Sequence, residues 1–196
     1  FCPGVPDADI FDVFFEDEYQ YYRVEFDARY YQRLFTDDLV AMIGLSIGYV
    51  DTFSENGGII TGVRISERFF KGAGSFRGFE SSGVGPRDIG TGDDAVGGQF
   101  FAIGTIEVSF PNYLPEEFGV DTAFFTDFGT VGLVEQKVLC TVGSCVKDDL
   151  SLRMSAGISV FWDSPFGRVR LDFAHVFMKE DYDKTEGFRF SAGTQF

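Results

Sequence analysis

The chain lacks several features that mark common classes of protein. Among its 196 residues no run of 18 apolar residues occurs, and no charged-then-apolar leader starts at Phe1, so we expect neither a transmembrane helix nor a signal peptide. Basic residues are few, since 16 Lys and Arg stand against 31 Asp and Glu and give a formal net charge of −15. A protein that binds a phosphate backbone needs clustered Lys and Arg, so this balance excludes nucleic acid as a partner.

Histidine and cysteine are also scarce, which argues against an enzyme or a metal centre. His175 is the only histidine, and spacing places no Ser or Cys nucleophile beside it, so we interpret it as a residue at the rim of a strand. Cys140 and Cys145 flank four residues of one long loop and have no histidine near them, which makes a metal site improbable there. We predict that they form a disulfide on an oxidising exterior, whereas Cys2 has no evident partner. We expect no enzymatic activity and no cofactor.

Aromatic residues and glycine are abundant instead. The chain contains 25 Phe, 8 Tyr and 24 Gly, a mixture typical of β-rich proteins, and its length leaves room for one domain. Polarity alternates with a period of two in seven segments, which predicts seven strands. Their expected ranges are 18–35, 39–50, 99–110, 119–131, 152–163, 168–173 and 188–196. Residues 1–17 are expected to be irregular, apart from a short apolar run at 10–15.

Short and long connections alternate between these strands. The short connections are 36–38, 111–117 and 163–167, the long ones are 51–98 and 132–150, and 179–186 is intermediate. This alternation is typical of outer-membrane β-barrels, whose strands of about 9–11 residues escape hydropathy scans. The competing fold is a soluble β-sandwich. Charged residues on the faces expected to point inward favour the barrel, because a polar lumen accepts them and a sandwich core does not. They are Glu107, Asp127, Arg153 and Arg170.

The longest connection contains a glycine-rich segment, residues 72–79, which we call the glycine-rich loop. Three of its eight residues are glycine, so the backbone can take the positive φ angles that tight reversals need. Arg77 within it carries five donors in a rigid fork and must meet carboxylates if it leaves water; the alternative is a solvated arginine on a surface loop. We interpret the acids of the other loops as solvated residues. They are Asp148, Asp149, Glu180, Asp181 and Asp183.

The tetrapeptide Phe76-Arg77-Gly78-Phe79 resembles the Val-Arg-Gly-Phe signature of the BamA family, outer-membrane insertases of Gram-negative bacteria that fold other barrel proteins into the membrane. Further segments match the family in order, at 93–98, 125–131, 153–157 and 162–167. The resemblance covers residues 18–196 and implies an all-β fold, an antiparallel transmembrane β-barrel. The chain would supply its C-terminal half, about seven strands of sixteen, without the first nine strands and the periplasmic POTRA domains. Phe76 replaces the usual Val.

The resemblance also implies partners for Arg77. In the family the signature arginine reaches from an external loop into the lumen and pairs with acids on the two following strands, which here are Glu107 and Asp127. Such pairs form charge-assisted hydrogen bonds that are stronger than a surface pair, although each acid could instead be a hydrated lumen residue. We call the tetrapeptide and the two acids together the loop–lumen lock. Its members are Phe76, Arg77, Gly78, Phe79, Glu107 and Asp127.

The last strand carries a second implied role. Its apolar row ends in a terminal phenylalanine, as in the C-terminal signal by which assembly machinery recognises a barrel, and in the family this strand borders a lateral seam. The row consists of Phe188, Phe190, Ala192, Thr194 and Phe196. A substrate strand could add to this edge by β-augmentation, with no catalytic side chain.

The resemblance therefore implies an insertase integral to the bacterial outer membrane. Its implied partners are unfolded outer-membrane proteins, the lipoproteins of the assembly machinery and outer-membrane lipid. The alternative is a secretory or passive pore of the same superfamily, such as a two-partner secretion translocator, and an outer-membrane enzyme barrel ranks third. The versions of the motifs at 93–98 and 127–130 favour the insertase. Because lipid cannot satisfy open sheet edges, seven strands alone should associate, aggregate or form a small non-native barrel.

Overall fold

The computed structural model describes residues 10–12, 15–16, 19–34, 39–52, 62–90, 92–110, 118–134, 146–164 and 167–193. Within these ranges the chain forms twelve strands and one short 3₁₀ helix, Ile65–Glu67. The strands are β1 (Ile10–Asp12), β2 (Phe15–Glu16), β3 (Tyr19–Arg33), β4 (Val40–Thr52), β5 (Arg87–Asp88), β6 (Asp94–Ala95), β7 (Phe100–Phe110), β8 (Val120–Gly132), β9 (Val146–Lys147), β10 (Arg153–Ser164), β11 (Gly167–Met178) and β12 (Phe188–Gly193).

Nine of these strands form one antiparallel sheet in the order β1-β3-β4-β7-β8-β10-β11-β12, with β2 also paired to β3. The seven predicted strands are β3, β4, β7, β8, β10, β11 and β12, so the predicted all-β antiparallel fold is confirmed. A smaller sheet, β6-β5-β9, joins the two long connections. No helix among the described residues is long and apolar enough to cross a membrane.

Side chains alternate between the two faces of the large sheet as the period of two predicts. On β8 the side chains of Ala123, Phe125 and Asp127 are buried, whereas those of Phe124 and Phe128 are exposed. We call the face that carries Asp127 the inner face. The opposite face exposes large apolar side chains along the strands, which suits contact with lipid. On β8 the charged side chain of Asp127 thus lies on the inner face, an arrangement expected of a membrane barrel and not of a sandwich core.

The hydrophobic core lies between the inner face and the long connection from β4 to β7. Residues of the strands pack there against residues of the connection, namely Val50, Val63, Phe69, Phe76, Phe79, Val84, Phe101, Ile103 and Val131. The rings of Phe69 and Phe101 meet edge to face with centroids 4.7 Å apart. Gly48 on β4 makes this possible, because a Cβ atom there would lie 2.2 Å from Phe101 Cε1. The connection therefore covers the inner face as a packed segment.

The structure differs from the sequence expectations at several points. Asp183, predicted to be solvated, is only 6% exposed, because its carboxylate is paired with a buried arginine. The segment expected to be irregular contributes β1 and β2, which pair with β3. His175 lies on the outward face of β11, exposed, with its ring edge-on to Phe177 at 5.0 Å. The predictions for Cys2, Cys140, Cys145, Thr194 and Phe196 lie outside the described residues.

Candidate functional site: the loop–lumen lock

The two acids of the lock are held by neighbouring strands. In the register of β7 and β8, Thr105 lies opposite Asp127 and Glu107 lies opposite Phe125, so the carboxylates occupy diagonal positions on the inner face. On the other side of β8, the pairing with β10 places Ser155 opposite Asp127. Because side chains of one face recur at every second residue, the spacing of these strands alone brings the two acids together.

Arg77 reaches both carboxylates. Its Nε and Nη2 atoms donate to Oδ2 and Oδ1 of Asp127, each at 2.7 Å, and its Nη1 atom donates to Oε2 of Glu107 at 2.5 Å. The guanidinium lies over the Phe125 ring, with its Cζ atom 3.7 Å from the ring centroid. Only 5% of Arg77 is exposed, so these charge-assisted bonds form away from bulk water.

The backbone of the glycine-rich loop is bound as well as the side chain. The Arg77 amide donates to Asp127 Oδ2 at 3.1 Å, and the Ser155 hydroxyl donates to the Arg77 carbonyl at 2.5 Å. Gly78 has a φ of 89°, and a Cβ atom there would lie 3.0 Å from Val176 Cγ2 and 3.1 Å from Ser155 Cβ. The position therefore requires glycine both for its backbone angle and for its close approach to the strands.

The two phenylalanines of the lock bury its flanks. Phe76 is 0% and Phe79 1% exposed, and their rings meet edge to face at 4.8 Å. They belong to the hydrophobic core described above, so apolar burial holds the loop on either side of the charged contact. The structure thus brings together all six residues of the lock.

Comparison with known proteins identifies the family. The family model described as the Omp85 superfamily domain matches residues 7–196. The chain belongs to the Omp85 superfamily. It is 36% identical over 159 residues to the outer membrane protein assembly factor BamA of Neorickettsia risticii, covering 81% of this chain and 20% of that protein. It is 27% identical to the factor of the same name from Neisseria meningitidis serogroup B, covering 90% of this chain and 24% of that protein.

A solved structure shows the same likeness. The crystal structure of BamA from Haemophilus ducreyi lacking POTRA domains 1-3 superposes with a TM-score of 0.75 and 26% identity, covering 90% of this chain and 35% of that one. The predicted resemblance to the BamA family is confirmed, and this Omp85 protein is integral to the bacterial outer membrane. The chain spans about a fifth to a quarter of the length of the curated relatives it matches.

The lock of this Omp85 chain continues into Ser159 and Asp172, which sequence reasoning did not single out, and through them to Arg170. Arg77 Nη1 lies 3.4 Å from Ser159 Oγ, and that hydroxyl donates to Asp172 Oδ1 at 2.5 Å. The same Asp172 oxygen accepts from Arg170 Nε at 2.8 Å. Four strands therefore share one polar network on the inner face. The signal that could have found Ser159 and Asp172 was present, because both have the inward parity of their strands.

A polar cavity of about 1140 Å³ adjoins the lock on the inner face. Its lining includes Glu107 and Asp127 together with Asp121, Arg168 and Arg170, so charges of both signs border it. Within the ranges that the structure describes, no group of three or more His, Cys, Asp or Glu side chains is arranged to hold a metal ion. The chemistry available to this site is therefore the binding of charged or polar groups through ion pairs and hydrogen bonds.

The residues assigned to the seam lie apart from the lock. Phe188 and Phe190 of β12 point outward and are 51% and 60% exposed, and Ala192 pairs with Val169 of β11. Within the described part of the chain, β12 pairs with β11 alone. The acids of the lock therefore lie on the inner face of the central strands β7 and β8, whereas Phe188 and Phe190 face outward from β12 at one end of the sheet, with β10 and β11 between.

The long connections also contact each other beyond the strand ends. Lys184 Nζ lies 2.6 Å from Asp93 Oδ2, and the hydrogen bond from this ammonium lowers the pKa of Asp93. The small sheet of β5, β6 and β9 adds backbone pairing between the two longest connections. These contacts join residues 87–95 to 146–147 and to 184, so the connections form one packed layer.

Proposed function

We propose that this chain is part of an outer-membrane protein assembly factor that folds and inserts β-barrel proteins, and that the loop–lumen lock holds its long connection in the lumen. The observation that carries the proposal is the fork of Arg77 on Asp127 and Glu107, in a chain whose curated relatives are named as assembly factors. A buried guanidinium with two carboxylates fixes the loop at one position, and no covalent step is required of it.

The last strand supplies the second part of the proposal. β12 presents an edge that no described strand pairs, and such an edge is a template for another strand. A substrate strand adding there would be held by main-chain hydrogen bonds, with Phe188 and Phe190 facing lipid. The proposed partners are accordingly unfolded outer-membrane proteins, the lipoproteins of the assembly machinery and the lipid beside the seam.

The competing proposal is a secretory or passive pore of the same superfamily. The two curated relatives and the solved barrel all carry the name BamA, which favours the assembly factor. Conductance across a planar bilayer in the presence of substrate separates the two, because a translocator should show a pore that its substrate occupies.

The test uses the complete protein that contains this chain, reconstituted in lipid vesicles. Arg77→Ala leaves two carboxylates without their counter-charge. Breaking a buried pair costs about 3–5 kcal/mol, and hydration of the lumen reduces this, so we expect a roughly tenfold fall in the rate of substrate assembly. Arg77→Lys should restore only part of the rate, since an ammonium cannot fork to both acids.

The matched control is Arg168→Ala. Arg168 also lies on the inner face but is about half exposed, and its nearest carboxylate oxygen, in Asp163, is 3.4 Å away. Exposed pairs contribute little, so assembly should proceed at the rate of the unaltered protein. An Arg77→Ala protein that assembles substrate as fast as the Arg168→Ala protein contradicts the proposed role of the lock.

A further inference from the structure

A second arginine of the inner face, Arg153, is buried more completely than Arg77. It is the first residue of β10, is 0% exposed and takes no part in the loop–lumen lock. Its Nε donates to Asp183 Oδ2 at 3.0 Å, its Nη1 donates to the carbonyls of Asp149 and Ser151, both at 3.0 Å, and its Nη2 lies 3.2 Å from the Tyr182 hydroxyl and 3.4 Å from Asp183 Oδ1. All five donors of the guanidinium therefore have an acceptor.

Asp183 in turn shapes the connection between β11 and β12. Its Oδ2 atom accepts from the Glu180 amide at 2.7 Å, and its own amide donates to the Glu180 carbonyl at 3.1 Å, which closes a tight turn. Tyr182 is buried beside it, and its hydroxyl also accepts from the Asp149 amide at 3.3 Å. Burial raises the pKa of Tyr182, so the phenol stays neutral. A single turn thus depends on a carboxylate that is fully removed from water.

The same connection is bonded on its other side to the glycine-rich loop and the residues after it. The Glu186 amide donates to the Gly78 carbonyl at 2.9 Å, the Glu80 amide donates to the Lys184 carbonyl at 3.0 Å, and the Lys184 amide donates to the Gly83 carbonyl at 3.0 Å. Gly83 permits this approach, because a Cβ atom there would lie 2.5 Å from the Lys184 oxygen. The connection 179–187 therefore lies between Arg153 and the residue that follows Arg77.

We propose that Arg153 and Asp183 are positioning residues for the loop–lumen lock. The pair holds the connection 179–187 against residues 78–83, and this connection keeps Arg77 seated on Asp127 and Glu107. Since the connection leads directly into β12, the pair also couples the glycine-rich loop to the last strand. The inference rests on the proposed role of the lock, but it concerns a coupling between two structural elements and is measured without substrate.

The test is hydrogen exchange of backbone amides in the complete protein, in wild type and Asp183→Asn. The informative amides are those of Ala73, which donates to Phe79 O, and Arg77, which donates to Asp127, because neither bonds to 179–187. We expect exchange in 179–187 and at these two amides to become about a hundredfold faster, as the loss of one partner of a buried pair predicts. Coupling is reciprocal, so Asp127→Asn should also accelerate exchange in 179–187.

The matched control is Asp181→Asn, which removes the same charge from an exposed position two residues earlier. Its exchange should equal that of wild type in both segments. If Asp183→Asn accelerates exchange in 179–187 alone, or in neither segment, the pair is a local contact and the proposal is wrong. If that variant yields no folded barrel, Tyr182→Phe decides: several-fold acceleration in both segments supports the coupling, and acceleration confined to 179–187, or none, overturns it.

A separate assembly assay keeps the two proposals distinguishable. If Asp183→Asn accelerates exchange in both segments while Arg77→Ala assembles substrate at the wild-type rate, the proposed function is contradicted and the coupling stands. Impaired assembly in Arg77→Ala, with no transmission from Asp183 to Arg77, supports the proposed function and overturns the coupling.

Discussion

Arg77 and Arg153 are both buried between the inner face and the connections that cover it, but they reach their acidic partners from opposite sides. Arg77 belongs to a long connection and is held by carboxylates of two strands, whereas Arg153 belongs to a strand and holds a carboxylate of a connection. Arg153 faces one carboxylate and several neutral acceptors, so its charge is balanced; Arg77 faces two carboxylates. Removing Arg77 thus leaves two acids near each other, and removing Arg153 leaves one.

The comparison indicates a division of roles. The glycine-rich loop places the guanidinium of Arg77 against carboxylates of the lumen. The position of this loop therefore depends on charge as well as on apolar packing. The connection 179–187 places the carboxylate of Asp183 against Arg153 at the start of β10, and backbone hydrogen bonds hold it as well. Two attachments of opposite polarity thus hold one layer of connections over the strands. They are joined by the hydrogen bond from the Glu186 amide to the Gly78 carbonyl and by those of Lys184 with Glu80 and Gly83.

The largest expected effect comes from Asp127, which accepts three hydrogen bonds from Arg77. Asp127→Asn should lower the free energy of local opening of the glycine-rich loop by about 3 kcal/mol, measured by hydrogen exchange, because it removes one partner of a buried pair. Glu107→Gln, with a single bond at a partly exposed site, should cost about 1 kcal/mol. Asp121→Asn, an exposed acid on the same face of β8, is the control, and equal effects at all three positions would contradict the geometry.

Gly78 should show the next largest effect. Gly78→Ala places a Cβ atom against Val176 and Ser155 at a φ of 89°, which costs about 1–3 kcal/mol of local strain. We expect faster proteolysis of the connection between β4 and β7 while the strands persist. Gly74→Ala in the same loop meets nothing within 4 Å and should leave proteolysis at its wild-type rate. Equal sensitivity of the two variants would show that the approach of Gly78 is not what seats the loop.

Reduction of the predicted disulfide between Cys140 and Cys145 should have the smallest effect on the loop–lumen lock. If they form the predicted disulfide, intact mass after alkylation should reveal no free thiol at these positions until a reductant is added. The predicted ring spans residues 140–145 alone and contains no residue of the lock, so reduction should leave the exchange of the Arg77 amide unchanged. Two alkylated thiols before reduction would rule the pairing out.

Much of the fold followed from the sequence, because alternation with a period of two is visible along each long strand. It placed Glu107, Asp127 and Arg153 on the inner face, and the family resemblance supplied Arg77 as the partner of the first two. The partner of Arg153 could not be predicted in this way. Asp183 lies thirty residues along the chain, in an acid-rich connection without periodicity, where each carboxylate had the same local signal for solvation. Only the folded layer of connections distinguishes Asp183 from its exposed neighbour Asp181.

The most direct test of the central claim is limited proteolysis of the connection between β4 and β7 in the complete Arg77→Ala protein, embedded in lipid. We expect the barrel strands to remain intact while this connection is cleaved much faster than in wild type, with Arg77→Lys intermediate and Arg168→Ala unchanged. Cleavage of the Arg77→Ala connection at the wild-type rate would contradict the account, since the loop would then be seated without the guanidinium.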